Sequence, residues 1–384
     1  MIGMGSGNYM TRSLGAGKRE LAEQIVSIAF FTGIIMGLVI TVSATFNIHR
    51  VVLLLGATET IAPYAEAYAH YIFIAAPFMI CSFIMNNLLR FQGKASFAMV
   101  GITVGGLLNI ALDPLFIFTL DMGTAGAALA TGLSQFISFC ILLWMCNHQD
   151  SCISISIRKF RPKLAIYREV LYGGIPSLGR QGIASVATIL MNFMCQPYGD
   201  AAIAAMSIVS RFMFFINSVI IGFGQGFQPV CSYCFGAGLY DRVKKACWFC
   251  IRVSTIILLV LSVISFPAAR SIITLFRRND PTVIEIGTLA LRLQLITLPL
   301  QGAVIMGNMM PQSIGYGFRA TLVSTARQGI FLIPLLTIMT YTIGLLGIQC
   351  AQPLADIATF ILSLFVIRGI FKEFPEDASS FAAQ

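Results

Sequence analysis

Charge is scarce in this sequence. Asp, Glu, Lys and Arg together supply 11% of its 384 residues, against about 25% in an average soluble chain. With 57% hydrophobic residues and a mean hydropathy of +0.84, the composition excludes an ordinary soluble domain and specifies an all-α polytopic membrane protein. Histidine is nearly missing as well. His49, His70 and His148 are its three instances, scattered, with no H-E-x-x-H pattern and no nucleophile beside them. A membrane-embedded enzyme therefore has no visible machinery, and neither catalytic nor metal-ligating residues are assigned.

A span needs about 20 apolar residues. Runs of that kind occupy 25–46, 62–89, 97–118, 124–146, 170–195, 201–230, 245–266, 285–310, 318–341 and 344–367, ten in all. The apolar piece 1–10 is too short to cross alone. The domain reading is an N-terminal lobe at 1–146, a linker at 147–168, a C-terminal lobe at 169–370 and a disordered tail at 371–384.

The net charge of +9 is informative through its placement. One set of alternate loops holds Arg12, Lys18, Arg19, Arg90, Lys94, Arg158, Lys159, Arg161, Lys163 and Arg168, then Arg242, Lys244, Lys245, Arg319, Arg368 and Lys372. The opposite set holds Arg50, Arg270, Arg277 and Arg278. By the positive-inside rule the first set, and the C-terminus with it, faces the cytoplasm. The basic balance is thus explained by topology, without nucleic acid as a partner, and the linker reads as a solvated connector on anionic headgroups.

Ten cysteines are present, including Cys231-x-x-Cys234 and Cys247-x-x-Cys250. The spacing is close to that of a zinc ribbon. All ten lie in or beside apolar runs, where a thiol acts as a small hydrophobe, and no zinc or redox role is assigned.

The chain repeats itself. Ser13-Leu-Gly-Ala-Gly17 aligns with Cys234-Phe-Gly-Ala-Gly238, at an offset of 221, and Gly123 and Gly126 align with Gly344 and Gly347 at the same offset. Gly93 matches Gly315, and Pro114 matches Pro334, with one-residue slips. A parallel repeat is one of the standard plans of secondary transporters. On that alignment 1–10 is the end of a helix equivalent to 201–230, nothing supplies the partner of 170–195, and the first lobe is incomplete. Roughly 50–60 residues of upstream sequence, holding two apolar segments, are expected. The chain as given, a fragment or a mis-set start, is not expected to export drugs by itself.

The most informative stretch is Asn109-Ile-Ala-Leu-Asp113-Pro114, inside an apolar run. A charged side chain near a bilayer centre costs about 2.5–3.5 kcal/mol on the mildest scale. On a helix Asn109 and Asp113 share a face, and Pro114 should kink or open the backbone beside the acid. Two readings stand: a site for a proton or small cation, or an Asp near the outer water helping to turn the chain. Gly174-Ile-Pro-Ser-Leu-Gly-Arg180-Gln181-Gly182 loosens a later span in the way transporter sites do, although Arg180 can also snorkel to the surface. Arg211, Arg292 and Arg327 lie within spans and should face an interior or water, where Gln294, Gln301 and Gln328 are further lining candidates. Met191, Met194 and Met306 suit a surface adapting to several ligands, or plain packing. The substrate-cavity set is thus Arg180, Gln181, Arg211, Met191, Met194, Gln294, Gln301 and Met306.

The combination of Ser13-Leu-Gly-Ala-Gly17, Gly93-Lys94, Asn109-Ile-Ala-Leu-Asp113-Pro-Leu-Phe-Ile-Phe118 with Gly123-Thr-Ala-Gly-Ala-Ala-Leu-Ala-Thr131, Ala204-Ala-Met-Ser-Ile-Val-Ser-Arg211, and Gly224-Gln-Gly-Phe-Gln-Pro229 resembles the multidrug and toxic compound extrusion (MATE) family across essentially the whole chain. That resemblance implies two six-helix lobes related by pseudo-twofold symmetry and working by alternating access. It implies export of amphipathic, often cationic organic compounds in exchange for H⁺ or Na⁺, with no other cofactor, by a monomer in a bacterial inner membrane. It also implies a cation site in the first lobe, in which Asn109, Asp113 and Thr131 match three positions; the first-helix Asp of that site has no counterpart here. A flippase for lipid-linked precursors, of the same superfamily, and a non-functional truncated transporter are the alternatives.

Overall fold

The computed structural model describes residues 1–54, 61–148, 155–278 and 280–375. In the described residues the secondary structure is helical throughout, and the chain divides into two compact units, Ile2–Leu171 and the remainder from Tyr172 with Met1.

The first unit holds α1 (Ile2–Gly15), α2 (Arg19–Phe46), the short α3 (Ile48–Leu54), α4 (Ala62–Phe91), α5 (Ala95–Pro114) and α6 (Gly123–His148), followed by the first turns of α7 (Leu164–Cys195). Its centre is α4, packed on α1, α2, α5 and α6. Met10, Ala22, Ile25, Leu88 and Phe91 close one core; Phe30, Cys81, Met85 and Leu142 close another. Within this unit the connector does not float free. Lys159 pairs with Glu23 at 2.6 Å, Ser156 N–H donates to Ser27 Oγ at 3.3 Å, and Thr32 Oγ1 lies 2.9 Å from the Tyr167 hydroxyl. Residues 149–154 of the expected linker lie outside the described residues.

The second unit holds most of α7, then α8 (Asp200–Gly236), α9 (Tyr240–Phe276), α10 (Pro281–Thr297), α11 (Gln301–Ile314), α12 (Gly317–Thr325), α13 (Leu332–Ile343) and α14 (Leu345–Glu373). Pro281 begins α10 behind the Asp280 cap, whose carboxylate accepts from Val283 N–H at 3.3 Å; both features place a helix start here. Helix α11 is buried on nearly every side, against α8, α9, α12 and α14. Cys231, Cys247 and Cys250 belong to the apolar core formed with Phe227, Met306 and Ile370. Phe374 joins that core, its ring 5.1 Å from Tyr240, so the expected disordered tail begins with fastened residues; 376–384 lie outside the described residues.

Among the described residues nine helical stretches are long and apolar enough to cross a membrane. The tenth expected span, 170–195, falls within α7, which at 32 residues is long enough but whose mean hydropathy is diluted by Arg180 and Gln181. Outward faces carry exposed Phe214, Phe215, Ile256, Val263, Ile264 and Phe365, as a lipid-facing surface requires.

The repeat is written into the backbone. Left-handed glycines recur in pairs, Gly17 and Gly238 at φ 72° and 74°, Gly93 and Gly315 at 81° and 95°, Gly123 and Gly344 at 55° and 69°. Each sits at a helix end that only a residue without Cβ turns at low cost. A hydrogen bond recurs with them: Asn86 Nδ2 donates to Ala98 O at 2.8 Å, and Asn308 Nδ2 to Ala320 O at 2.8 Å. Thr11 Oγ1 to Phe91 O, 2.9 Å, has its equivalent in Ser232 Oγ to Ser313 O, 3.1 Å. Both bonds tie a side chain to a carbonyl near a helix end, so each unit joins its helices by the same device.

Candidate functional site

In the first unit, α5 ends at Pro114 and the chain continues as a π-helical turn, Leu115–Thr119. Proline has no N–H to give the carbonyl four residues back, and the wider turn absorbs the break. Leu120 N–H bonds to Leu115 O at 3.0 Å and Met122 N–H to Phe116 O at 3.1 Å. A backbone opened beside the acid is what Pro114 predicts.

Above that break three polar side chains meet. The Asn109 amide donates to Asp113 Oδ1 at 3.1 Å and to Thr131 Oγ1 at 3.3 Å. The Thr131 hydroxyl donates in turn to Ala127 O at 3.0 Å. All three are half-buried. Helices α5 and α6 meet closely enough to make this possible because Gly101 faces Leu142, Gly105 faces Ser138, and Ser138 Oγ bonds to Gly101 O at 2.8 Å. With its amide spent on the two neighbours, Asn109 keeps its carbonyl oxygen for a ligand. Asp113 has its second carboxylate oxygen, and Thr131 a lone pair. Such a set of hard oxygens suits a small monovalent cation, and the same carboxylate suits a proton.

The approach of α6 to the π-helical turn is tight at Gly126, where an added Cβ would lie 2.7 Å from Phe116 O and 2.9 Å from Met122 Cβ. Gly126→Val should therefore push α6 away, breaking the Asn109–Thr131 bond. The expected cost is about 1–3 kcal/mol, as for other overpacked sites. A lowered thermal-unfolding midpoint of the purified protein checks it.

The cavity candidates of the second unit do not form one cluster. Gln181 and Arg211 are exposed, and Arg180 is half-buried with Nη1 3.4 Å from Asn308 Oδ1. Met191 and Met194 pack partly buried against the apolar core, Gln294 is buried, and Met306 is wholly buried in a core. Gln301 lies elsewhere, in a network whose acid, Asp356, is not in the candidate set. Asp356, with no exposed surface, accepts from Arg327 Nε at 2.7 Å, Gln301 Nε2 at 2.9 Å and Gln352 Nε2 at 3.0 Å. Arg327 stands on a second π-helical segment, Ala326–Phe331. Gln301 Oε1 is buried there without a hydrogen-bond partner among the described residues. The signal was available in the sequence: Asp356 is a carboxylate inside the apolar run 344–367, and the cost that singles out Asp113 applies to it equally.

Comparison with known proteins gives a concordant result. The MatE family profile matches residues 1–115 and 176–338. The multidrug export protein MepA of Staphylococcus saprophyticus is 28% identical over 367 residues, covering 96% of this chain and 81% of that protein. MepA of Staphylococcus haemolyticus is 27% identical over 380 residues, covering 99% and 83%. Among solved structures, the outward-facing conformation of a multidrug resistance MATE family transporter superposes with a TM-score of 0.90 at 25% identity, covering 98% of this chain and 84% of that one. A MATE structure in the bent conformation gives 0.92 at 24% identity, covering 99% and 85%, and shares the fold.

Proposed function

Since the chain belongs to the MatE family of multi-pass membrane transporters, we propose that it is a secondary active antiporter. It exports amphipathic, often cationic organic compounds against an inward flow of H⁺ or Na⁺, by alternating access. The observation carrying the reading is the convergence of Asn109, Asp113 and Thr131 beside the break at Pro114. An energetically costly carboxylate sits with spare oxygens from both helices of the α5–α6 pair, beside an opened backbone turn, so cation loading and helix geometry are linked. No cofactor beyond the coupling ion enters this mechanism, which is that of a transporter. The setting is a bacterial inner membrane, the protein a monomer with its C-terminus in the cytoplasm. The two lobes are 1–146 and 169–370, with 147–168 between them.

The test is transport by the full-length protein in vesicles, with pH or Na⁺ gradients imposed separately. Export of a cationic dye should follow one of the two gradients and stop when it is collapsed. Export indifferent to both would overturn the antiport reading.

Topology is checked independently. A cysteine replacing Ser156, on a background lacking other accessible thiols, should resist an impermeant thiol reagent applied outside intact cells. The expectation rests on the five basic residues from Arg158 to Arg168. Ready labelling from outside would invert the arrangement.

A further inference from the structure

Arg327 holds Asp356 through one nitrogen. Its Nε is 2.7 Å from Asp356 Oδ1, while Gln352 and Gln301 complete the carboxylate. The two terminal nitrogens of the guanidinium, carrying four N–H donors, have no partner among the described residues, and 22% of the side chain is exposed against 1% for Asp356. Arg327 lies about 15 Å along its span from Gly317, at about 1.5 Å per residue. An arginine at that depth does not face hydrocarbon, so the open donors face water or a ligand.

A guanidinium fixed at Nε presents its remaining nitrogens as a planar fork, the geometry that takes both oxygens of a carboxylate at once. Asp356 does not meet the ligand. It is a positioning residue, fixing the plane of the fork. Helix α7 passes this segment closely: an added Cβ on Gly179 would lie 3.2 Å from Thr325 Cγ2, and one on Gly329 3.0 Å from Ile183 Cγ2. Arg180 therefore stands on the turn of α7 that touches the π-helical segment. Its nearest polar partner is the neutral Asn308 amide at 3.4 Å, so these two packed segments bring together two guanidiniums and one carboxylate. The surplus is positive, the opposite of the Asp113 site.

Building on the export reading above, we propose that Arg327, oriented by Asp356 and supported by Arg180, binds a carboxylate on the transported molecule. The preferred cargo is then a zwitterionic amphiphile, with an amine and a carboxylate on an apolar body.

The experiment uses the full-length protein and two fluorescent probes: an aromatic amino-carboxylate and its methyl ester, which keeps the amine and loses the anion. Transport in proteoliposomes and equilibrium binding in detergent are both measured. In Arg327→Lys, which keeps the charge and removes the fork, the ratio of zwitterion KM to ester KM should rise about tenfold, the scale of a lost charge-assisted pair. The ratio of dissociation constants should rise with it. Asp356→Asn should move both ratios in the same direction by less. Equal loss for zwitterion and ester would assign the pair a structural role and overturn the proposal, as would unchanged ratios. Zwitterion binding that is Arg327-dependent in detergent, without gradient-driven transport of either probe, would retain the site and overturn the antiport reading instead.

Discussion

Asp113→Asn should abolish gradient-driven export by the full-length protein while leaving its insertion and unfolding midpoint unchanged. The substitution is nearly isosteric, and the new amide oxygen can still accept from Asn109 Nδ2, which now bonds to Asp113 Oδ1 at 3.1 Å. The packing of α5 on α6, set by Gly101 and Gly105, is not touched. What disappears is the negative charge, and with it the ability to take up a proton or to balance Na⁺. Export by the variant in vesicles should fall to the level of protein-free controls. Wild-type transport by Asp113→Asn would remove the coupling role from this residue.

The second large effect concerns stability. Asp356→Ala leaves Arg327, Gln301 and Gln352 without the acceptor they share. Leaving a buried donor unsatisfied costs about 1–3 kcal/mol for each group, and here Arg327 Nε and two glutamine amides lose their acceptor together, whereas replacing both members of such a pair by apolar groups is often neutral. Thermal unfolding in detergent should therefore drop strongly for Asp356→Ala and recover in the double variant Arg327→Met, Asp356→Leu. A single variant as stable as wild type would mean that the guanidinium reaches water without the carboxylate. The two acids thus differ: the loss at Asp113 leaves the fold intact, whereas the loss of the Asp356 carboxylate to Ala lowers stability as well as freeing the Arg327 fork.

Much of the architecture was legible because its signals are local. Apolar length marks a span, and a glycine that must turn left-handed marks its end, so the spans at 97–118 and 124–146 correspond to α5 with its π-helical turn and to α6. The meeting of Asn109 with Asp113 follows from helical spacing alone. Thr131, 22 residues further on, was reached through family resemblance, since no local pattern brings α6 to α5. Other features were hidden for identifiable reasons. The run 285–310 reads as one span, yet it divides into α10 and α11 around a tight turn, Leu298–Leu300, with Pro299 at its centre; the proline was the missed sign. The run 318–341 divides at Ala326–Phe331 with no proline inside the segment; Pro334 just beyond it, which has no N–H for the carbonyl of Ile330, was the sign passed over. Asp356 was overlooked because its partners come from three elements, and none of the pairings except Gln352, one turn away, follows helical spacing.

The recurring joints of the two units have an evolutionary meaning. Gly17, Gly93 and Gly123 with their counterparts, and Asn86 with Asn308, are joints that both units share, whereas the acids are not: with Pro114 matched to Pro334, Asp113 falls at the rung of Ile333, and Asp356 falls at that of Gln135. Doubling a gene for one half would have supplied the frame in a single event, leaving the ionisable groups to be added to each copy separately. Cargo preference in such a lineage can drift through single substitutions on an unchanged chassis, and a comparison of the two halves of one molecule points to the residues that have done so.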